Sequence, residues 1–166
     1  MHLPSTDDAL ALPFFRFLTI TSCPPAWKHF DLYLIRDETV VFYVGQSECA
    51  FSRVWEHITG GIKGHAIVGR FLLANWPKSS HFIIELLDSH TARFGTAGYN
   101  LDQAEKLLIE QYTPCFNVSL NRAPAPLPEK YLPPNTPTKY LKSFRRMMRE
   151  AEVAVKIAAS RDTEWE

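Results

Sequence analysis

Five polar side chains in this 166-residue chain have the chemistry to bind anions, hold a cation and move protons: Tyr33, Tyr43, Arg53, His57 and Glu105. A guanidinium offers a planar fork of donors to oxyanions, a carboxylate binds hard cations, and an imidazole titrates near neutral pH. Arg53 and His57 are four residues apart, so a helix would present both on one face.

Each of these residues also has an ordinary structural explanation. A tyrosine in a hairpin usually packs, and Arg53 can simply pair with Glu56 or Glu48. Glu105 fits the first turn of a helix, where the helix dipole favours an acid. Their meaning therefore depends on the elements that carry them and on their order along the chain.

Two β-prone runs, 31–35 and 40–44, are separated by the polar stretch Arg36-Asp37-Glu38-Thr39 and predict a β-hairpin with one tyrosine on each strand. Ser47 is expected to cap a helix that runs to about Ile58 and carries Arg53 and His57. The apolar run 82–87 predicts a third, more central strand.

Asn100 and Gln103 resemble a capping box that opens a second helix, ending near Tyr112 before Pro114. Glu105 lies beside the apolar stripe of this helix, which consists of Ala104, Leu107, Leu108 and Tyr112. The order β-β-α, a middle segment, then β-α predicts an α+β fold with a small central antiparallel sheet of about three strands flanked by helices.

In chain order these elements carry five motifs: Asp31-Leu32-Tyr33, Tyr43-Val44-Gly45-Gln46-Ser47, Arg53-x-x-x-His57, Glu105-x-x-Leu108-Ile109 and Pro114-x-x-Asn117. Together they resemble the GIY-YIG nuclease domain over about residues 31–118, just over half of the chain. The segment 105–117 is similar to the form found in bacterial nucleotide-excision repair, and the Arg53/His57 pair to that of homing and restriction endonucleases. Asp31 stands where the family usually has Gly, which we expect to affect strand-end geometry more than activity.

The resemblance implies metal-dependent hydrolysis of a nucleic-acid phosphodiester, expected to be DNA, by a single-metal mechanism. It implies that Glu105 holds one Mg²⁺, with Mn²⁺ able to substitute, and that Arg53 contacts phosphate oxygens. A module that keeps the fold and binds nucleic acid without turnover is the alternative.

The resemblance also implies a general base that takes a proton from water. Tyr43 corresponds to the family tyrosine usually given this role, with His57 relaying the proton or holding the tyrosine. Tyr33 would orient the water and phosphate, and whether Tyr33, Tyr43 or His57 is the base stays open. Asn117 would fix Glu105 or the substrate backbone.

The sequence outside this region predicts four parts: an N-terminal extension (1–30), the nuclease-like domain (31–118), a Pro-rich linker or strap (119–137) and a basic amphipathic helix (138–160) capped by Thr136. Six of the 12 prolines fall within 124–137, which disfavours helix and central strand there. The helix is compatible with phosphate contacts, with a homodimer seam or with a solvated surface. Residues expected to bind substrate are Gln46, Ser47, Lys63, His65, Arg70, Lys142, Arg145, Arg146 and Arg149.

Composition limits the remaining classes. The chain has 18 Lys plus Arg and 18 Asp plus Glu, which excludes a uniformly basic nucleic-acid binder. The net charge is −3 over 31–118 (10 acids, 7 bases) and +3 over 119–166 (6 acids, 9 bases), so basic surface is concentrated near the C-terminus. No membrane span or signal peptide is expected, and three unpaired cysteines favour a reduced, cytoplasmic protein. With no recognisable reader domain in the sequence, sequence specificity would require a separate partner or the terminal segments.

Overall fold

A four-stranded antiparallel sheet with helices on both faces positions the residues singled out above, and the predicted α+β fold is confirmed. The computed structural model describes the backbone of residues 9–164, and the side chains of that range except those of 96–99, 138 and 162–164. The strands are β1 (Ala9–Pro13), β2 (Leu32–Arg36), β3 (Val41–Gln46) and β4 (Ile83–Leu87), in the spatial order β1-β4-β2-β3. The α-helices are α1 (Phe14–Phe17), α2 (Ala50–Ile62), α3 (Ile67–Ala74), α4 (Leu101–Tyr112) and α5 (Phe144–Glu164). A membrane-spanning helix is not found among residues 9–164.

The predicted β-hairpin is formed by β2 and β3, and it brings both tyrosines to one face of the sheet. Tyr33 lies opposite Gly45, and Ile35 lies opposite Tyr43. Tyr43 and Gly45 are two residues apart on β3, so they share one face of the sheet. Tyr33 lies opposite Gly45 and is therefore on the same face as Tyr43. β4 lies inside the sheet as predicted, whereas β3 is at its edge. Tyr43 therefore stands at the margin of the sheet.

The segment 1–30, expected as an extension of the domain, contributes a fourth strand and part of the core. β1 pairs with β4 from Pro13 opposite Ile83 to Ala9 opposite Leu87. Its sequence has no β-branched or aromatic residue, so pairing with β4 and not local propensity makes it a strand. Three phenylalanines of α1 follow it into the core. Residues 1–8 lie outside the described part of the chain.

The first predicted helix begins and ends later than expected. Ser47 does not cap it, because its hydroxyl bonds the backbone N–H and carbonyl of Cys49 in a tight turn. Cys49 occupies the N-cap position, and α2 runs from Ala50 to Ile62. The helix still carries Arg53 and His57 on one face, as its spacing required.

α2 and α3 cross at close range, which explains why glycine occupies positions 61 and 69. A Cβ at Gly61 would collide with the backbone of Gly69, and a Cβ at Gly69 would collide with the carbonyl of His57. Gly60 and Gly61 therefore belong to the last turn of α2. The sequence predicts no helix at α3, because its run IVGRFLLA is apolar on nearly every side and lacks the polar face that reveals a surface helix.

The second predicted helix is present as α4, on the opposite face of the sheet from α2. The Asn100 side chain accepts hydrogen bonds from the N–H groups of Asp102 and Gln103, so the predicted N-cap is confirmed. The buried stripe consists of Ala104, Leu108 and Ile109, whereas two expected members differ: Leu107 is exposed and Tyr112 is half-buried. The helix packs on a core that includes β2 and β3, and this places Glu105 beside the edge strand.

The Pro-rich segment lies over the surface as a strap. Tyr131 is buried against a phenylalanine cluster, and its hydroxyl donates to Asp37 at 2.5 Å. The Leu132 N–H donates to the Asn75 side chain at 2.7 Å, which in turn donates to the Leu132 carbonyl. These bonds tie the strap to both the hairpin loop and the end of α3.

The C-terminal helix begins at Phe144 and not near 138 as predicted. Thr136 does not cap it, since its hydroxyl donates to the Pro133 carbonyl within the strap. Ser143 caps the helix instead, accepting from the Arg146 N–H at 3.2 Å. α5 packs against α1, where Met147 is fully buried.

Candidate active site

An open cleft of about 530 Å³ lies at the β3 edge of the sheet, between α2, α4 and the segment that follows α4. Helices from the two faces of the sheet meet here, which brings together residues far apart in sequence. The polar residues that line the cleft are Tyr43, Arg53, Glu56, His57, His65, Glu105, Asn117 and Ser119. Five of the six predicted catalytic residues line it, and the sixth, Tyr33, lies directly behind it.

Tyr33 and His57 form a buried hydrogen bond. The Tyr33 hydroxyl lies 2.7 Å from His57 Nε2, and the tyrosine is only 1% exposed. The phenol crosses directly over Gly45 on the neighbouring strand, and a Cβ at that position would collide with the hydroxyl. The glycine of the Tyr43-Val44-Gly45 motif is therefore needed for close approach, and it leaves the space in which Tyr33 reaches His57.

Tyr43 completes an aromatic cluster with this pair. Its ring lies 6.1 Å from that of Tyr33 and 5.3 Å from that of His57, the second in an edge-on arrangement. Burial raises the pKa of Tyr43, and the nearby charge of Glu105 raises it further. Burial likewise raises the pKa of Tyr33, while the Arg53 charge opposes the rise in both tyrosines. Both phenols are therefore protonated at rest.

His57 is neutral at physiological pH. Burial lowers its pKa to about 4, and the adjacent positive charge of Arg53 contributes to the decrease. A neutral imidazole has one nitrogen free to accept a hydrogen bond. The nitrogen nearest to Tyr33 is thus able to take the proton of the buried phenol.

Arg53 is charged and lies at the rim of the cleft. Its Nη1 atom is 2.7 Å from Glu56 Oε2, and this hydrogen bond is the main reason that its pKa is raised. Both side chains of this ion pair are largely exposed, so opening it costs little free energy. A phosphate oxygen that enters the cleft can therefore compete with Glu56 for the guanidinium.

Glu105 is the half-buried carboxylate of the cleft, on the first turns of α4, whereas the other cleft carboxylate, Glu56, is exposed and pairs with Arg53. Burial raises its pKa, partly offset by a hydrogen bond from Gln46. Gln46 also donates to Asp102 at 2.6 Å, so the predicted substrate ligand is engaged with the acidic end of α4. A single carboxylate suits Mg²⁺, which keeps several of its waters and takes further oxygens from a phosphate.

A cluster of three potential metal ligands among the described residues lies apart from this cleft. It consists of Asp31, Asp88 and His90. The Asp31 carboxylate accepts hydrogen bonds from the N–H and the hydroxyl of Ser89, at 2.8 and 2.6 Å. These bonds give Asp31 a structural role, because its side chain ties the start of β2 to the turn after β4.

Asn117 has a role that differs from the expected one. Its Oδ1 accepts from the Val44 N–H, and its Nδ2 donates to the Val44 carbonyl, both at 2.9 Å. Instead of holding Glu105, the amide fastens the segment after α4 to the edge of β3. The N–H groups of Cys115 and Phe116 also bond to carbonyls of β3, at 3.2 and 2.9 Å. Asn117 is thus a positioning residue that forms one wall of the cleft.

The residues expected to bind substrate separate into two groups. His65 lines the cleft and Lys63 is exposed at the end of α2. Arg70, by contrast, donates to the carbonyls of Pro134 and Thr136 at 2.9 and 2.6 Å, so it holds the strap. Its guanidinium therefore has a structural role and does not line the cleft.

The cations of α5 lie on a helix that does not line the cleft. Arg146 pairs with Glu150 at 2.7 Å, and Glu150 accepts in addition from the Trp76 indole at 2.9 Å. Arg145 and Arg149 are exposed on the same helix, and Lys142 just before it is half-buried. These four cations are therefore not part of the cleft lining.

Val118 lines the cleft, although no motif or periodic pattern in the sequence singles it out. It is 86% exposed. No periodic pattern includes it, because it follows the last residue of the final motif. Only the packing of the segment after α4 against β3 reveals its position.

Comparison of the chain with known protein families, with curated proteins and with solved structures finds no match.

Proposed function

We propose that this chain is a metal-dependent endonuclease that hydrolyses phosphodiester bonds in nucleic acid, with DNA as the expected substrate. The observation that carries the proposal is the Tyr33–His57 hydrogen bond, placed behind a cleft that also presents Tyr43, Arg53 and Glu105. These groups supply the needs of phosphodiester hydrolysis, which are a proton acceptor, an anion ligand and a cation ligand.

Glu105 would hold the Mg²⁺ ion, and Mn²⁺ would substitute for it in the same oxygen-rich position. When bound, the ion stabilises the negative charge that develops on the phosphate and favours ionisation of groups nearby. Arg53 would leave Glu56 and bind a phosphate oxygen, so that the guanidinium neutralises a second part of that charge.

Tyr43 is the phenol that faces the cleft, so it would accept the proton of the attacking water. Its ring lies 6.1 Å from that of Tyr33, whose hydroxyl lies 2.7 Å from Nε2 of His57. The proton of Tyr43 would pass to Tyr33 and the proton of Tyr33 to Nε2 of His57. The negative charge of a bound phosphate would raise the basicity of His57, which is low in the free protein.

The alternative, a nucleic-acid-binding module without turnover, is favoured by one observation. Burial lowers the pKa of His57, so the cleft has an anion ligand in Arg53 but a weak proton acceptor. Under this alternative the cleft binds phosphate, but no bond is cleaved.

Several further properties belong to this proposal. The protein would act in the cytoplasm, consistent with its three free thiols. A homodimer through the exposed side of α5, or a separate protein that supplies sequence specificity, would complete the active species.

The test is cleavage of supercoiled plasmid and of labelled single-stranded and branched DNA, with Mg²⁺, Mn²⁺ or EDTA. Glu105→Ala should reduce metal-dependent cleavage at least a hundredfold while leaving the melting temperature nearly unchanged. Glu110→Ala is the matched control, since Glu110 is an exposed acid on the same helix that pairs only with Lys106 across 3.9 Å.

Cleavage lost in the Glu105 variant and retained in the Glu110 variant supports the nuclease. Equal activity in both variants would refute Glu105 as the metal ligand. Binding of DNA by folded wild-type protein, without cleavage of any substrate, would support the silent module.

A further inference from the structure

Two cysteines outside the proposed catalytic groups are in contact with each other. Cys23 lies in the connection between α1 and β2, and Cys49 is the N-cap residue of α2. Their sulfur atoms are 3.9 Å apart although the residues are 26 positions apart in sequence. Both side chains are partly exposed, so a small oxidant can reach them.

The surroundings of Cys49 favour its thiolate. The Ser52 hydroxyl donates to the Cys49 sulfur at 3.3 Å, and the sulfur lies at the N-terminal end of a 13-residue helix. Burial raises the pKa of this thiol, but hydrogen bonds from Ser52, Cys23 and the Phe51 N–H outweigh it and leave the pKa below its usual value. Cys49 is therefore the better nucleophile of the pair.

The other two thiols have the opposite character. Burial raises the pKa of Cys23, and its contact with Cys49 raises it further. Burial also raises the pKa of Cys115, which lies 3.8 Å from the Pro126 carbonyl beneath the strap. Cys49 is thus the reactive thiol, Cys23 is its neighbour, and Cys115 is the unreactive thiol.

We propose that Cys49 and Cys23 form a peroxide-sensitive dithiol that closes into an intrachain disulfide. The Cys49 thiolate attacks hydrogen peroxide, so that an S–O bond forms, the O–O bond breaks and hydroxide leaves. The Cys23 sulfur then attacks the resulting sulfenic acid, forming the S–S bond and releasing water. Two thiols are oxidised by two electrons, and one peroxide is reduced to two waters.

The local structure allows this closure. A disulfide requires the sulfur atoms to approach from 3.9 Å to about 2.05 Å. Cys49 is held at the start of a helix, whereas Cys23 lies in a connection whose regular structure is one 3₁₀ turn, Pro25–Trp27. The connection that carries Cys23 therefore moves when the disulfide forms, and α2, which carries Arg53, stays in place.

The test begins with the reduced full chain, treated with stoichiometric hydrogen peroxide at pH 7.5. The thiol titre of the denatured protein should fall from three to one, with an intact-mass loss of two hydrogen atoms. A peptide map should show Cys23 joined to Cys49, and a dithiol reductant should restore three thiols. These readouts do not depend on nuclease activity.

Three variants separate the roles of the thiols. Cys115→Ser should still form the link at the wild-type rate. Cys23→Ser should stop at a sulfenic acid on Cys49 that dimedone traps, whereas Cys49→Ser should lower the oxidation rate at Cys23 at least tenfold. Circular dichroism establishes that each variant is folded.

Two results would overturn the proposal. One is oxidation of Cys115 in the wild-type protein as fast as that of Cys49. The other is a link that forms only between chains, seen as a dimer on a non-reducing gel whose yield rises with protein concentration.

Discussion

The buried contact between Tyr33 and His57 joins the stability of this protein to its proposed chemistry. The imidazole beside the phenol is neutral, and the same burial that keeps it neutral makes its protonation costly. The residue that would accept a proton during catalysis is therefore also a residue whose protonation opposes folding. This coupling can be measured without any substrate.

Stability should fall in mildly acidic solution because of His57. Its pKa is about 4 in the folded protein and about 6.5 when unfolded, so the unfolded chain binds the proton more tightly. The contribution to stability is complete above pH 6.5 and is lost as the pH falls towards 4, by up to about 3 kcal/mol. Urea denaturation between pH 4.5 and 7.5 should show this slope in the wild type. His57→Gln, which does not titrate, should be less stable at pH 7.5 but should show a smaller slope.

Tyr33→Phe should separate proton transfer from packing. The ring remains, but the hydroxyl that bonds His57 is removed, so the unfolding free energy should decrease by about 1–2 kcal/mol. Cleavage should fall by about a hundredfold or more, because the proton path from Tyr43 to His57 is interrupted. Tyr112→Phe is the control, since its hydroxyl accepts from Arg93 outside the cleft. Activity of Tyr33→Phe equal to that of the control would exclude the relay.

At the scale of elements, local signals predicted some parts well and others not at all. The hairpin and the Asn100 cap follow from residues adjacent in sequence, and both are confirmed. The strand β1 exists through its distant partner β4, and the helix α3 through burial on nearly all sides. Neither property leaves a periodic pattern that a single sequence displays.

The candidate site shows the same division between local and distant contacts. The spacing of Arg53 and His57 predicted a shared helix face, and motif order predicted which residues would meet at the cleft. The contacts of Arg70 with the strap and of Asn117 with Val44 join positions 64 to 73 residues apart. Such contacts form only in the assembled fold. The sequence therefore predicted other roles for Arg70 and Asn117.

Asn117→Ala should loosen the wall of the cleft. Both hydrogen bonds to Val44 are lost at a buried position, so unfolding should require about 2 kcal/mol less free energy. Amide hydrogen exchange at Val44 should become faster, and cleavage should decrease while still requiring the metal. Glu110→Ala, at an exposed position of α4 outside the cleft, should change none of these quantities. Unchanged exchange at Val44 would show that the amide is not what holds this segment.

At the scale of the whole molecule, the excess basic residues and the proposed catalytic residues lie on different elements. The cleft contains one strong cation, Arg53, which is balanced by Glu56. The excess of basic residues falls after residue 118, and much of it is on or next to α5. A polymer held by both regions would have to extend beyond the cleft.

Reversing charges on α5 should weaken nucleic-acid binding and its dependence on salt. Arg145→Glu together with Arg149→Glu removes two exposed cations, while Arg146 is left in place because it pairs with Glu150. The slope of log K against log salt should decrease by about two in magnitude for duplex DNA. Binding measured by fluorescence anisotropy from 50 to 300 mM salt gives this slope. Lys28→Glu, outside the helix, is the control, and an equal slope in all three proteins would assign α5 a structural role only.

The segment that follows α4 also has a consequence for self-association. An edge strand exposes unpaired backbone groups that can recruit a strand from another copy and start aggregation. Along β3 the N–H groups of residues 115 and 116 and the amide of Asn117 occupy backbone groups of this edge. The Asn117 side chain thus bonds backbone groups of β3 that a further strand would otherwise pair with. The edge beside the cleft is closed to intermolecular β-sheet growth while the cleft stays open to a ligand.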